Sequence, residues 1–206
     1  MNVKSRKEEQ AEATRKALLK VARKLFAERG YANTATEEVV RRARVTRGAL
    51  YHHFRDKQDL FKAVLHEEEQ RLTRIIGAAA SEASDVWSGF VAGCSAFLDA
   101  CVDPAVRQIV LIDALSVLGP AGFREIEESY YLNGMKNALA AAMEARVIDP
   151  QPIDPLAHIL LGALNEAAML IANARDEDVA RTEARAVVTR LLTGLTTKRH
   201  RTRSAK

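Results

Sequence analysis

The sequence predicts an all-α protein, and three observations support this fold class. Apolar residues recur three and four positions apart along most of the chain, which is the spacing of one face of an α-helix. Residues that favour helix starts, such as Thr46 and the pairs Asp103-Pro104 and Asp154-Pro155, divide this pattern into segments. The 206 residues can bury a full core, and they contain no repeat and no sustained coiled-coil heptad. We therefore expect a globular arrangement of helices.

The first two helices follow from an apolar stripe and a capping pattern. One face of a basic helix carries Leu18, Val21, Ala22, Leu25 and Phe26, and Gly30 is a plausible stop. The sequence T-A-T-E then begins at Thr34. We expect the Thr34 side chain to accept from the Glu37 N–H while the Glu37 carboxylate reaches back, a capping box that opens a short helix through about Ala43.

Two further helices follow at once. Thr46 is a second N-cap, for a third helix that ends near Arg55 and turns Ala49, Leu50 and Phe54 inward. Asp56 caps a long fourth helix, from Lys57 to about Ala79. Its expected inward residues are Leu60, Phe61, Val64, Leu65, Leu72, Ile75 and Ile76.

Charge is distributed unevenly along the chain. Residues 1–60 carry 15 basic and 8 acidic side chains, residues 61–196 carry 11 and 19, and residues 197–206 carry 5 and 0. A basic module on an acidic body indicates a polyanion bound at one end, because Lys and Arg contacts to phosphates release counterions.

The second and third helices are only about three residues apart, which is the spacing of a helix-turn-helix whose second helix lies in the DNA major groove. Arg47, Gly48 and Ala49 suit base contacts, because they offer a donor and allow close approach. Phosphate contacts are expected from Tyr51, His52, His53 and Lys57, while Val45, Leu50 and Phe54 anchor the helix. The histidine pair is an improbable metal site, since adjacent helical residues point about 100° apart.

Residues 30–61 read G-Y-A-N-T-A-T-E-E-V-V-R-R-A-R-V-T-R-G-A-L-Y-H-H-F-R-D-K-Q-D-L-F. This segment resembles the DNA-binding domain of the TetR family of bacterial transcriptional regulators, and the resemblance extends over about residues 14–61. It depends on the joint order of Gly30, Tyr31, Thr34, Val45, Gly48, Leu50, Tyr51, Phe54, Lys57 and Leu60. Two departures are Arg44, where the family often has glycine, and Ala35, where a hydroxyl residue is frequent.

The resemblance implies a DNA-binding regulator with definite contact positions. Arg47, Gly48 and Ala49 fall where family members touch bases, and Thr36, Tyr51, His53 and Lys57 fall where they hold phosphates. Arg44 could add a phosphate contact of its own. The complete set of predicted DNA-binding residues is Thr34, Thr36, Arg44, Thr46, Arg47, Gly48, Ala49, Tyr51, His52, His53 and Lys57.

The expected organisation is three parts. Residues 1–56 form a three-helix helix-turn-helix domain, which the long fourth helix joins to a helical effector-binding and dimerisation domain at 57–196. In that domain of about six helices, a long helix from roughly Gly122 to Arg146 and a P-Q-P linker at 150–152 precede the last two helices. Residues 197–206 are a basic tail, either disordered or an added nonspecific DNA contact.

The last two helices have wide apolar faces, and Ala180 belongs to the face of the final helix. These faces carry Leu156, Ile159, Leu160, Ala163, Leu164, Ala167, Ala184, Val187, Val188, Leu191, Leu192 and Leu195. They could cap the chain's own core. The resemblance implies instead a homodimer through a four-helix bundle, which would also place two recognition helices on double-stranded operator DNA.

Aromatic and apolar residues of the second domain predict an effector cavity, with an ordinary core as the alternative. The candidates are Trp87, Phe90, Cys94, Phe97, Leu111, Leu115, Phe123, Tyr130, Met135, Asn165 and Met169. Polar candidates beside them, Asp113 and Arg107, are few. We therefore expect a small, mostly apolar or aromatic effector, which would act on DNA binding by tilting the fourth helix as a lever.

Other functional classes lack support in the sequence. There is no glycine-rich phosphate loop, H-E-x-x-H, C-x-x-C or G-x-S-x-G motif, so we expect no enzyme, no cofactor and no metal site. Cys94 and Cys101 are expected to pack as small apolar side chains. The absence of a signal peptide or membrane-spanning run predicts a cytoplasmic protein of the bacterial nucleoid. A repressor is expected first, and an activator or an effector-independent regulator second.

Overall fold

A computed structural model describes residues 6–197. The α-helices in this range are α1 (Arg6–Arg29), α2 (Thr36–Ala43), α3 (Arg47–His53), α4 (Lys57–Ser81), α5 (Val86–Ala100), α6 (Ala114–Glu127), α7 (Asn133–Glu144), α8 (Ile153–Ala172) and α9 (Glu177–Leu195). Two π-helical segments, Val106–Asp113 and Glu128–Leu132, precede α6 and α7. Extended pairing over residues 6–197 is limited to one isolated bridge between Ile148 and Thr196. The all-α prediction is confirmed, whereas the predicted basic tail lies outside the described residues apart from Thr197.

The described chain forms two compact units. The first contains residues 6–69 and 104–119, and the second contains residues 70–103 and 120–197. This division differs from the expected boundary after residue 56, because the first three turns of α4 and the segment Pro104–Gly119 belong to the first unit. The start of α4 packs there through the ring of Phe61, whose centroid lies 5.4 Å from that of Phe26 in α1.

The first unit is built on α1, which packs against α2, α3 and the π-helical segment Val106–Asp113. Its buried residues are Leu18, Leu19, Ala22, Leu25 and Phe26. Val21, expected in this stripe, is only half-buried, because neighbours on several sides of α1 bury a wider face that includes Leu19. In α4, Ile75 is exposed rather than inward-facing as expected.

The helix starts of this unit agree with the sequence at two points and differ at a third. The Thr46 hydroxyl accepts from the Ala49 N–H at 3.2 Å, and the Asp56 carboxylate accepts from the Asp59 N–H at 2.7 Å, as predicted. The capping box at Thr34 is wrong. Thr34 is buried and its hydroxyl is placed to donate to the carbonyls of Leu25 and Gly30 at the end of α1, so Ala35 precedes α2 without a side-chain cap.

The second unit begins its helices differently from what the sequence suggested. Asp85, which the sequence analysis missed, caps α5 by accepting from the N–H groups of Trp87 and Ser88, both at 3.0 Å. α8 begins at Ile153, two residues before the start that the sequence predicted at Pro155. Asp154 therefore lies inside the first turn and not at the N-cap, and its carboxylate is 2.6 Å from the Lys136 Nζ.

Two helices expected between residues 103 and 146 are present in the structure. A helix begins at Pro104 as predicted, and the expected long helix from Gly122 is present but contains the π-helical segment Glu128–Leu132.

α8 is long and apolar enough to cross a membrane by length and composition, a property that was not predicted from the sequence. This is weak evidence, because the core helix of a soluble protein passes the same test and 44% of the apolar window is buried.

Arg44 ends α2 in the left-handed conformation, with φ 56° and ψ 41°. An L-residue with a Cβ is strained there, whereas glycine is not. Arg44→Gly should therefore raise the free energy of unfolding by about 0.5–1 kcal/mol, after allowance for the greater unfolded-state entropy of glycine. Urea unfolding measures this change. Arg44→Ala keeps the Cβ and removes the guanidinium, so a glycine variant no more stable than the alanine variant would contradict the strain.

Candidate nucleic-acid interface and ligand cavity

The helix α3 has a buried side and an exposed side. Leu50 is fully buried and Phe54 nearly so, and this anchoring turns the opposite side of the helix toward solvent. The predicted DNA-binding residues Arg44, Thr46, Arg47, Gly48, Tyr51 and His52 are exposed, and Thr36, Ala49, His53 and Lys57 are half-buried. Thr34 is buried, and its hydroxyl is placed to donate to carbonyls of its own unit.

Arg47 projects from the first turn of α3 and is only lightly held. Its guanidinium carbon lies 5.5 Å from the centroid of the Tyr51 ring, a cation–π distance. The Glu37 carboxylate is 3.9 Å from Arg47 Nη1, and both side chains are largely exposed. Exposed pairs of this kind stabilise little, so Arg47 can exchange this partner for a base edge. The sequence analysis did not identify Glu37 as a neighbour of this site.

An open depression lies between the start of α2, Tyr51 and the start of α4. It is lined by Ala32, Asn33, Thr34, Ala35, Thr36, Glu37, Tyr51, Asp56 and Lys57. The Lys57 ammonium lies 4.2 Å from the centroid of the Tyr31 ring, and it is 3.4 Å from the Ala32 carbonyl oxygen that accepts from it. Burial lowers the pKa of Lys57, and the negative charge of the Asp113 carboxylate raises it by a smaller amount. The depression therefore offers a fixed cation beside an uncapped helix start, which suits a phosphate group.

The two histidines of α3 present their rings at different orientations. Their ring centroids are 5.2 Å apart and the ring planes are inclined by 68°. Among residues 6–197, no group of three or more His, Cys, Asp or Glu side chains is arranged to hold a metal ion. The pKa of His53 is lowered by burial, and further by His52 and Arg15, which favours a neutral ring with one N–H to donate.

The second unit contains a cavity of about 420 Å³. Its walls are Thr73, Ile76, Gly77, Ala80, Val86, Gly89, Phe90, Gly93, Cys94, Phe97, Tyr130, Tyr131, Gly134, Met135, Ala138, Leu161 and Leu164. Five of the predicted ligand residues are among them, namely Phe90, Cys94, Phe97, Tyr130 and Met135. Volume and lining are those of a small-molecule site.

The other six predicted ligand residues, Trp87, Leu111, Leu115, Phe123, Asn165 and Met169, lie outside this lining. Trp87 is buried in the core, with its ring centroid 5.5 Å from that of Phe90. Leu111 and Leu115 belong to the first unit. The Asn165 amide donates to Glu127 Oε1 at 2.7 Å and so has a structural partner.

No charged side chain lines the cavity. Its polar side chains are Thr73, Cys94, Tyr130 and Tyr131. Burial raises the pKa of the Cys94 thiol to about 12, so this group is neutral at physiological pH. The wall therefore favours an uncharged ligand, since a charged one would lose its hydration without a counter-charge.

Two local features shape the cavity. A Cβ on Gly89 would lie 2.8 Å from the Ala80 carbonyl oxygen, so glycine is required for this close approach of α4 and α5. The π-helical segment Glu128–Leu132 places the consecutive residues Tyr130 and Tyr131 on the same cavity, and π-helical turns are frequent at functional sites. Neither the glycine wall nor the π-helical turn was predicted from the sequence.

Two family models match most of the chain. Residues 18–64 match the model described as bacterial regulatory proteins, tetR family, and residues 87–195 match the tetracyclin repressor-like C-terminal domain. This chain belongs to the TetR family. It is a transcriptional regulator of the helix-turn-helix type, a family of regulators and not of enzymes.

Related proteins agree with this assignment. A TetR-family regulator from Pectobacterium atrosepticum is 35% identical, with a TM-score of 0.79, and the match covers 95% of this chain and 99% of that one. The Transposon Tn10 TetC protein of Escherichia coli is 27% identical over 145 residues, which are 69% of this chain and 72% of that protein. A transcriptional repressor of Mycobacterium tuberculosis is 37% identical over 68 residues, 33% of this chain and 36% of its own length.

In this TetR-family chain, the apolar residues of α8 and α9 divide into three groups. Ile159, Val187 and Leu191 are 68%, 56% and 55% exposed. Half-buried residues are Leu156, Leu160, Ala163, Ala180, Ala184 and Leu195. Leu164, Ala167, Val188 and Leu192 are buried inside the protomer, because α8 and α9 pack on each other and on α5. These four residues therefore pack against the chain's own helices.

Proposed function

We propose that this TetR-family regulator is a repressor that binds palindromic operator DNA as a homodimer. A small, uncharged and mostly apolar effector releases it. The observation that carries the proposal is α3, which exposes Arg47, Gly48 and Tyr51 on the side opposite its buried anchors Leu50 and Phe54. This is the geometry by which a recognition helix enters the major groove.

The residues around α3 divide by role. Arg47, Gly48 and Ala49, in its first turn, read base edges. The phosphate contacts come from Thr36, Arg44, Thr46, Tyr51, His52, His53 and Lys57. Support for the second group is their position around the depression and along the flanks of α3. Since phosphate contacts carry no sequence information, the two groups differ in a measurable way.

A base contact and a phosphate contact respond differently to truncation. Arg47→Ala should relax the preference at one base pair of each half-site by roughly 1–3 kcal/mol. Lys57→Ala should weaken binding to all sequences alike and flatten the dependence of affinity on salt. Selection from a random duplex library, followed by titration of single-base variants, measures both. An Arg47→Ala profile with the wild-type shape would contradict the base-reading role.

Binding of the wild-type chain to the DNA upstream of its own coding region is the first test of the whole proposal. A gel shift that shows no specific complex there, or with any selected palindrome, would overturn it. A tail contact by residues 197–206 would appear as a lower salt slope on truncation after Thr197.

A homodimer is proposed through α8 and α9. Ile159, Val187 and Leu191 leave large apolar side chains in solvent, and a self-complementary face satisfies them in a twofold dimer. Two recognition helices related by that twofold axis then match a palindromic operator.

Effector release is proposed through α4. This helix carries Lys57 at its first position, and four of its later residues, Thr73, Ile76, Gly77 and Ala80, line the cavity. A ligand that binds better to a form with a tilted α4 would disfavour the spacing needed for DNA. The apolar residues Leu72 and Ile76, in the same part of α4, transmit this tilt.

Repression is favoured over activation because a relative that is 37% identical over 68 residues is itself a transcriptional repressor. The alternative, an activator or a regulator without effector, makes a different prediction. Small lipophilic compounds would then leave DNA binding unchanged. Cytoplasmic location on chromosomal DNA follows from the proposed role, and no cofactor is part of it.

A further inference from the structure

The segment Pro104–Gly119 lies in the first unit, directly against the turn that follows α1. Val106 and Ile109 of this segment are fully buried, and its π-helical part packs on α1. Gly30 in the turn has φ 76°, and a Cβ there would lie 3.0 Å from the Gln108 Nε2. The turn and the segment are therefore in van der Waals contact, with little room for a side chain between them.

Asp113 connects the segment to this turn by a hydrogen bond. Its side chain is buried, with the residue 8% exposed. The carboxylate accepts from the Tyr31 backbone N–H at 2.7 Å and from the Gln108 Nε2 at 3.1 Å. A carboxylate acceptor makes a stronger bond than a neutral one, and without it the part-buried N–H of Tyr31 would need another partner.

Tyr31 and its neighbour in turn hold Lys57. The Lys57 ammonium lies over the Tyr31 ring and donates to the Ala32 carbonyl. The next residue of α4 is tied to the same segment, because the Gln58 side-chain amide donates to the Val117 carbonyl at 2.7 Å. Segment Pro104–Gly119 thus supports Lys57 from two directions, although none of its residues lines the depression.

We infer that Asp113 is a positioning residue for DNA binding, which fixes the turn at Tyr31 so that the Lys57 ammonium stays at the phosphate depression. The inference rests on the proposed phosphate contact of Lys57. It assigns a DNA-binding role to a buried residue far along the chain from the helix-turn-helix. Without these contacts, the Lys57 side chain would lose rotamer freedom each time the protein binds DNA. Because the contacts to Tyr31 and Ala32 already hold the side chain in place, that entropic cost is avoided.

The test is a double-mutant cycle between Asp113 and Lys57 on the full-length chain. Asp113→Ala and Asp113→Leu both remove the acceptor of the Tyr31 N–H, and Leu refills the volume that Ala vacates. Both variants are expected to be less stable than the wild type, because the N–H loses its partner. Each variant should bind specific and nonspecific duplexes about tenfold more weakly. The slope of log affinity against log salt concentration should be smaller in magnitude by about two, because a dimer loses one phosphate contact per half-site. Fluorescence anisotropy over a salt series measures both quantities.

Two controls separate positioning from general destabilisation. Asp113→Asn keeps an acceptor for the Tyr31 N–H and should recover most of the salt slope. Ile112→Ala changes an exposed neighbour on the same segment and should leave the slope at the wild-type value. Circular dichroism and thermal unfolding define the temperature range in which every variant is folded.

The cycle gives distinct outcomes. Adding Lys57→Ala to the Asp113 variants should cause no further loss, because both changes remove the same contact. A wild-type slope in a folded Asp113→Ala or Asp113→Leu variant, or losses that add in the double variant, would overturn the inference. If Lys57→Ala alone keeps the wild-type slope, the phosphate role of Lys57 fails instead, together with the inference that depends on it.

Discussion

Leu191→Glu is expected to dissociate the proposed dimer and to weaken operator binding by at least about 100-fold. Leu191 is 55% exposed in the protomer and lies one turn from Val187, which is 56% exposed. Burial of an apolar side chain of this size contributes about 1.5–3 kcal/mol, and twofold symmetry doubles the loss. Each glutamate would also place an unpaired charge in an apolar interface. A single half-site then binds with little more than nonspecific affinity.

Thr189→Glu is the matched control for this change. Thr189 is exposed on the same helix, but it is two residues from both Val187 and Leu191 and therefore points away from them. It should remain dimeric and bind the operator normally. Sedimentation velocity gives the oligomeric state and anisotropy the DNA affinity. A Leu191→Glu chain that stays dimeric at micromolar concentration would place the interface on another surface.

The predictions that succeeded concern residues whose structure is set by near neighbours in sequence. Thr46 and Asp56 cap their helices because each side chain reaches an N–H three residues ahead. The apolar spacing of α3 likewise identified Leu50 and Phe54 as the buried side. Such features depend on the 3.6-residue period and on side-chain length, which a sequence states directly.

The predictions that failed concern competition between local and distant partners. Thr34 could cap α2, yet its hydroxyl is used by carbonyls at the end of α1. Val188 and Leu192 have the spacing of a dimer face, and the chain's own helices already bury them. An apolar residue satisfies either environment equally, so periodicity alone cannot say which partner covers it.

Most of the cavity was also beyond sequence reasoning, because its shape depends on where backbones meet. The aromatic residues Phe90, Phe97 and Tyr130 were identified from side-chain type. Gly77, Gly89 and Gly134 were not, since a glycine inside a helix has no periodic signature and suggests only reduced helix stability. In the folded chain these glycines form part of the cavity wall. Gly134, where an added Cβ would meet nothing within 4 Å, offers a way to fill the cavity from its wall.

Gly134→Phe is expected to abolish the effector response while leaving operator binding within about threefold. A Cβ at Gly134 would meet nothing within 4 Å, although the residue lines the cavity. A Cβ therefore fits here without displacing a neighbour, and we expect the ring attached to it to occupy space in the cavity that Gly134 lines. Replacement of a helical glycine also adds helix propensity of about 0.5 kcal/mol. Ligands that fill the cavity should lose at least 100-fold in affinity, because they would have to overlap the new ring.

Asn137→Phe adds the same ring to the exposed side of α7 and serves as the control for surface hydrophobicity. A panel of neutral aromatic compounds, each with a carboxylated analogue, is titrated against the operator complex. Wild type and Asn137→Phe should release DNA with the neutral members only, since no charged group lines the wall. Gly134 lines the cavity and is remote in sequence from α3. If the same compounds at the same concentrations still release the Gly134→Phe variant from the operator, they bind at another site. Loss of operator binding in this variant without any ligand would instead mean that filling the cavity itself produces the released form, which is the state the lever in α4 requires.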